Sequence, residues 1–162
     1  MSVANETVSI TVESPLSDDV RALVAALNAW ALTQTPQEYT HHMTVEQMAE
    51  PNTTVFIARD ESGAAVAMGA LKRHGDGLGE VKRMYTRPDI RGGGFAGRIV
   101  SELEKLARLE GLSRLALETG AAKGFASAWR VYERAGFTRC GAFLDYPPDS
   151  PHNIYYEKLL QA

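Results

Sequence analysis

The stretch MYTRPDIRGGGFAG, Met84 to Gly97, joins a strand pattern to a helix pattern across a turn that holds four glycines. Upstream, Glu80 to Thr86 sets Val81, Met84 and Tyr85 among the charges of Glu80, Lys82 and Arg83. So many charges argue against a central strand buried on both faces. Downstream, Phe95, Ile99, Leu103 and Leu106 form one apolar stripe of a helix that Gly111 ends. Glu104 and Arg108 are spaced for an i,i+4 pair on its polar side. Between strand and helix, glycines let the backbone approach a ligand and turn its N–H groups inward. The helix start adds partial positive charge, so the turn suits phosphate oxygens better than it suits a mere change of direction. Arg91 and Arg98 add formal charge beside it.

The rest of the chain can be read outward from that turn. Val8 to Glu13 alternates apolar and polar residues as a half-buried strand does. Ser17, Asp18 and Asp19 offer a cap and an acidic first turn to a helix in which Val20, Leu23, Val24, Leu27, Trp30 and Ala31 recur at helical spacing. Its end falls near Gln34 to Pro36, and a short helix from Val45 to Ala49 follows Thr44 as its cap. Thr54 to Ala58 and Ala64 to Leu71 read as a hairpin about Asp60-Glu61-Ser62-Gly63, with Gly63 free to take positive φ. After the central turn and helix come a strand, Leu112 to Thr119, and a helix, Phe125 to Ala135, with Gly136 as its C′ residue. Strands over Phe137 to Phe143 and Asn153 to Lys158 flank a proline-rich loop. The order β-α-α-β-β-β-α-β-α-β-β predicts an α+β (mixed α/β) domain over residues 1–162. Its mixed sheet has about six to seven strands and is flanked by about four helices.

Composition narrows the function classes without choosing one. The 162 residues include 17 Lys plus Arg and 20 Asp plus Glu, a net charge of −3, with 44% apolar and 23% charged residues. That is globular composition in a length suited to one domain. The absence of a basic run removes the footprint of a general nucleic-acid binder. A single cysteine, Cys140, excludes an intrachain disulfide and a cysteine-based zinc site. No signal-like start and no bilayer-length apolar run are present, so a cytoplasmic protein without membrane contact is expected. His41-His42, His74 and His152 show no metal-ligand spacing, and no metal is expected. The histidines read as loop or acceptor-rim residues, and Cys140 as a buried, unreactive thiol.

Gly92, Gly94 and Gly97 spell G-x-G-x-x-G, and Glu118 follows about 20 residues on, where a dinucleotide fold places its ribose acid. Against that reading, Arg87 to Arg91 separate the strand from the glycines, the strand is charged, and one βαβ unit remains to complete the fold. A P-loop is excluded because no Gly-Lys-Ser/Thr follows.

The same stretch resembles motif A of the GNAT superfamily of N-acetyltransferases, Arg/Gln-x-x-Gly-x-Gly/Ala, met by Arg91, Gly94 and Ala96. LALETG and WRVYERAGF (Trp129 to Phe137) resemble the later strand, helix and Y-E-R-x-G-F segment of that superfamily. The resemblance implies acetyl-CoA as donor, with the peptide groups of Met84, Tyr85 and Thr86 pairing with the pantetheine arm. It places the pyrophosphate on the N–H groups of Gly92, Gly93, Gly94, Phe95, Ala96 and Gly97, with Arg91 nearby. It implies direct transfer to an amine in a ternary complex, with Tyr132 as general acid and Glu80 as base. Tyr132 also fits a core tyrosine, and Glu80 fits a strand charge paired with Lys82. Strand alternation would set Glu80 on the face of Met84. Glu118, Thr119 and Tyr146 are candidates to line the acceptor cleft, with Trp30, Tyr39 and Phe143 as further aromatic wall. Many relatives carry an asparagine where Phe125 stands, so this chain departs from the pattern there. A non-catalytic acyl-CoA-binding module on the same fold and a dinucleotide enzyme stay open as alternatives. Homodimers are common in such proteins, and the residues themselves carry no mark of one.

Overall fold

The computed structural model describes residues 9–160. Their strands are β1 (Ser9–Val12), β2 (Thr53–Arg59), β3 (Ala65–Arg73), β4 (Leu78–Thr86), β5 (Arg114–Gly120), β6 (Thr138–Cys140) and β7 (Asn153–Leu159). The α-helices are α1 (Asp18–Gln34), α2 (Val45–Met48), α3 (Phe95–Leu109) and α4 (Ala126–Arg134). The strands form one sheet in the order β1-β2-β3-β4-β5-β7-β6, antiparallel except for the β4–β5 pair. Val8 of the expected first strand lies outside the described residues.

Each face of the sheet buries its own helices. Ile99, Val100, Leu103 and Ala107 of α3 pack with Phe56, Val66, Leu71, Val81, Leu115 and Leu117, and Tyr132 of α4 joins them. On the opposite face Val20, Leu23, Val24 and Leu27 of α1 and Met48 of α2 cover Val55, Ile57, Met68, Ala70 and Tyr85. The apolar stripes predict these faces because 3.6-residue periodicity returns every third or fourth side chain to one side. Thr44 caps α2 in a reciprocal box with Gln47. The Glu104–Arg108 pair forms, Gly63 adopts φ +87°, and Gly136 adopts φ +94° one residue past the cap of α4.

Several expectations fail. The charged strand Leu78–Thr86 is the central strand of the sheet, with Glu80 only 2% exposed and Arg83 also buried. Glu80 and Lys82 are satisfied by one another and by neighbouring polar groups, Arg83 only in part, and all three border a cleft. The strand expected over Phe137 to Phe143 shortens to β6 at the sheet edge. Gly141 follows it, and Leu144 turns the chain at φ +51°. Cys140, at the end of β6, is half-buried rather than buried, and burial raises its thiol pKa.

Alternation along β4 is also broken. Met68 pairs with Tyr85 while Ala70 pairs with Lys82, so Arg83 and Met84 together face Gly69. Arg83 sits at φ +58°, in the left-handed region that favours glycine. The bulge turns Met84 into the α3 cluster and leaves Glu80 on the other face with Tyr85. The expected shared face of Glu80 and Met84 is therefore overturned. Gly69 is needed opposite the bulge, since a Cβ there would lie 2.5 Å from Met84 Sδ and 2.6 Å from Ile99 Cγ2. Gly69→Ala should cost about 1–3 kcal/mol of stability through overpacking, measured as a lower denaturant midpoint with unchanged slope.

Candidate active site

β4 and β5 pair only at Leu78–Arg114, Gly79–Leu115 and Glu80–Ala116. Past Glu80 the two strands part, and no strand pairs with Val81 to Thr86 on that side. The gap opens into a cleft of about 670 Å3 bounded by α1, both strands, the glycine turn and α4. Its volume is that of an ordinary small-molecule site.

Gly94 is the N-cap of α3 at φ +83°, with no side chain to cap the helix, and Gly92 sits at φ +90°. A Cβ at Gly92, Gly94 or Gly97 would meet nothing within 4 Å, so these residues leave open space over the first N–H groups of a 15-residue helix. Unsatisfied donors and the positive end of the helix dipole make that space a seat for an anion. Gly92, Gly94, Phe95, Ala96 and Gly97 line the cleft. Gly93 stands behind it, facing the Phe95 ring and the Ile90 carbonyl. The Arg91 Nε donates to the Thr86 carbonyl at 3.0 Å, and its guanidinium lies 5.8 Å from the Trp30 and Tyr85 ring centres. Met84, Tyr85 and Thr86 thus border the cleft beside the glycine turn.

Deeper in the cleft, Glu80 holds a cluster of polar groups. Its Oε1 lies 2.9 Å from His74 Nε2, and its Oε2 accepts from the Tyr146 hydroxyl and, at 3.2 Å, from Lys82 Nζ. Lys82 also donates to Tyr146 at 2.8 Å. His74, which looked isolated in the sequence, is therefore a partner of Glu80. Tyr146 and Phe143 do not line the cleft: Tyr146 braces Glu80 and Lys82 from behind, and Phe143 packs with Ala116 and Tyr155. His41 stands edge-on to Tyr146, 4.9 Å between ring centres.

Glu118 and Thr119 line the cleft from β5. Glu118 accepts a 2.7 Å hydrogen bond from Asn153 Nδ2, and burial raises its carboxyl pKa despite that bond. Tyr132 lines the same cleft from α4, and its ring packs on Phe137 and Tyr156. Its hydroxyl has no hydrogen-bond partner among the described residues. Burial, with the Glu118 carboxylate adding to it, pushes the phenol pKa far above its ordinary value. A phenol held this firmly protonated can donate a proton, and a desolvated carboxylate beside it can accept one.

Sequence reasoning missed Arg83 and Asn28, and it placed His41 and His42 only as loop or acceptor-rim residues. Arg83 lines the cleft from the bulge, and Asn28 of α1 accepts a hydrogen bond from its Nη2. His41 and His42 line it from the α1–α2 connection, each with a buried, unpartnered Nε2. The signal for Arg83 was present: charges at 80, 82 and 83 cannot all share one face of a regular strand. Phe125, where an asparagine was expected, lies edge-on to Trp30 at 4.8 Å and against Gly120, joining α1 to α4 at the edge of the cleft. Among the described residues, no group of three or more His, Cys, Asp or Glu is gathered to hold a metal, and no helix is long and apolar enough to cross a membrane.

Known proteins resemble this chain in sequence and in fold. The family model described as Acetyltransferase (GNAT) family matches residues 24–137. An IAA acetyltransferase of Azospirillum brasilense is 38% identical over 154 residues, covering 94% of this chain and 98% of its own length. A Klebsiella pneumoniae protein assigned as an acyl-CoA N-acyltransferase superposes with TM-score 0.81 at 32% identity, covering 95% of this chain and 98% of the other. A Bacillus anthracis protein assigned as a streptothricin acetyltransferase, solved in complex with acetyl coenzyme A, has the same fold at TM-score 0.61 and 21% identity. That match covers 75% of this chain and 70% of the other. With the fold, the glycine turn and the family match in agreement, the chain belongs to the GNAT family of N-acetyltransferases.

Proposed function

We propose that this protein transfers the acetyl group of acetyl-CoA directly to a primary amine in a ternary complex. The observation that carries the reading is the parting of β4 from β5. It leaves the peptide edge of Met84 to Thr86, the uncapped start of α3 and the Tyr132 hydroxyl on one cleft. A donor with an anionic centre, an amide-rich arm and a thioester fits that succession of anion seat, backbone edge and proton donor. Gly92 to Gly97 would take the pyrophosphate, and Met84 to Thr86 the pantetheine amides.

In the transfer, the amine nitrogen forms a bond to the thioester carbonyl carbon and the carbon–sulfur bond breaks. Nitrogen must lose a proton, and the leaving sulfur must gain one. Tyr132 supplies the proton to sulfur, since its environment keeps the phenol protonated. For the proton on nitrogen, Glu118 suits the task better than Glu80. The two oxygens of Glu80 are already engaged by His74, Tyr146 and Lys82. Glu118 has one donor, Asn153, and a raised pKa caused by burial. Glu80 then acts as a fixed charge that places Lys82 and Tyr146.

Steady-state rates with acetyl-CoA over amino acids, polyamines, aminoglycosides and peptides test the activity. The absence of turnover alongside retained CoA binding would leave a binding module instead. Tyr132→Phe should lower kcat by about 100-fold, in the range of a lost general acid, while keeping acetyl-CoA affinity. An unchanged kcat would return Tyr132 to packing alone.

The two glutamates separate by different readouts. Because the Glu118 pKa is raised, the carboxyl gains its proton at a higher pH than an ordinary glutamate. The kcat/KM should therefore fall on acidification from above the usual carboxylate range, and Glu118→Gln should abolish that limb together with most of kcat. Glu80→Gln should instead unfold the protein more easily, by about 2–3 kcal/mol, because the half-buried Lys82 loses its counter-ion. Adding Lys82→Met should restore much of that loss in a thermal melt.

A further inference from the structure

Arg83 is the only buried cation among the described residues. No carboxylate pairs with it there. Its Nη2 donates to the neutral Asn28 amide oxygen, and its Nε is buried without a partner. Its backbone is held at φ +58°, where a glycine would be easier to place. The position therefore works against the residue twice, in backbone conformation and in desolvation of an unpaired charge. Burial lowers its pKa to about 10, which still leaves the guanidinium charged at neutral pH. The side chain borders the cleft on the α1 side, the face that also carries Glu80 and Lys82.

His42 supplies a second, independent observation in the same place. Its Nε2 is buried and unpartnered. Burial first, and then the charges of Arg83, Lys82 and His41, lower its pKa, so the ring is neutral at physiological pH. It can form a hydrogen bond there without adding a positive charge. A guanidinium without a counter-charge and a neutral imidazole, each with one nitrogen buried and unsatisfied, stand at one end of a cleft and call for an anionic ligand.

Resting on the acetyl-transfer reading, we propose that the acceptor is an amino-carboxylate, its carboxylate held by Arg83 and His42 while its amine faces Glu118. A guanidinium without a counter-charge in a dry site favours an anion strongly. Local charge balance selects a carboxylate over a phosphate. Lys82 already answers Glu80, so Arg83 remains to answer one negative charge. The amine of the same molecule answers Glu118. A phosphate dianion would leave one charge unmatched in a low-dielectric cleft.

The test compares wild type and Arg83→Met on matched acceptors. These are free α-amino acids, β-alanine and γ-aminobutyrate, the carboxamide of each, the corresponding decarboxylated amines, and phosphoethanolamine. Rates with acetyl-CoA should give a kcat/KM about 10- to 100-fold higher for the preferred carboxylate than for its carboxamide, the scale of one charge-assisted contact. Arg83→Met should raise the KM for that acceptor by a similar factor and leave the KM for acetyl-CoA unmoved. A thermal melt of the CoA-saturated protein with the same compounds gives a readout independent of turnover. Carboxylates should stabilise wild type and not Arg83→Met.

Equal turnover of carboxylates and carboxamides, or preference for phosphoethanolamine, overturns the carboxylate assignment and leaves the transferase intact. A loss of acetyl-CoA affinity in Arg83→Met overturns it too, by giving Arg83 to the donor. Melting shifts that require Arg83 without any acetyl transfer support the carboxylate site and overturn the transferase reading. Silence of wild type in both readouts overturns the inference. Should Arg83→Met not fold, the wild-type comparison of each acid with its amide still decides.

Discussion

Everything in this molecule depends on β4 pairing with β3 along its length while leaving β5 after Glu80. A parallel pair that stops after three residues exposes backbone donors and acceptors in the middle of a sheet, where they are ordinarily hydrogen-bonded. Such an opening is stable only if something holds the strands apart. On one face α3 packs Ile99 and Leu103 against Met84 and Val81, and on the other α1 packs against Tyr85. The bulge at Arg83 sets which layer Met84 and Tyr85 each enter, and the pair fastens the free half of β4 to both. Gly69 is the small residue that lets α3 and the bulge come close enough.

That opening also sets the electrostatics of the site. Glu80, Lys82, Arg83 and Glu118 lie on the two strands that diverge, so their charges share a cleft with limited water. In such a place an ion is tolerated when it is paired and hydrogen-bonded. Glu80 and Lys82 meet the condition through each other and through Tyr146 and His74. Arg83 and Glu118 meet it only in part, through the amides of Asn28 and Asn153. The fully paired groups build the site, and the half-paired ones are free to meet a ligand.

The sequence made the helices and the glycine turn legible because periodicity and glycine carry strong local signals. The stripe of α3, the Thr44 cap and the C′ role of Gly136 all follow from short-range rules. The centre of the sheet was harder. Charges in β4 look like solvent exposure when pairing across strands cannot be seen, yet Glu80 is satisfied by His74, Lys82 and Tyr146, the last of them 66 residues away. Alternation misplaced Met84 because one inserted residue reverses every side chain beyond it. Aromatic character points to Tyr146 as cleft wall, whereas its hydroxyl fixes its place behind Glu80.

The glycine-turn half and the side-chain half of the cleft differ in how they leave traces in a sequence. An anion seat made of peptide N–H groups demands residues without side chains, so it writes glycines in a row and is readable locally. A site made of side chains demands only that distant residues meet. Arg83, Asn28, His42 and Glu118 come from β4, α1, the α1–α2 connection and β5, and no spacing joins them. Their kinship lies in incomplete satisfaction: a buried Nε, a buried imidazole nitrogen and a desolvated carboxylate, all on residues that border one cleft. Folding energy alone would have replaced such groups by apolar ones of similar volume. Their presence around a cleft, while every carboxylate oxygen of Glu80 is occupied, marks the α1 side of β4 as the part of the cleft whose polar groups are left to a ligand.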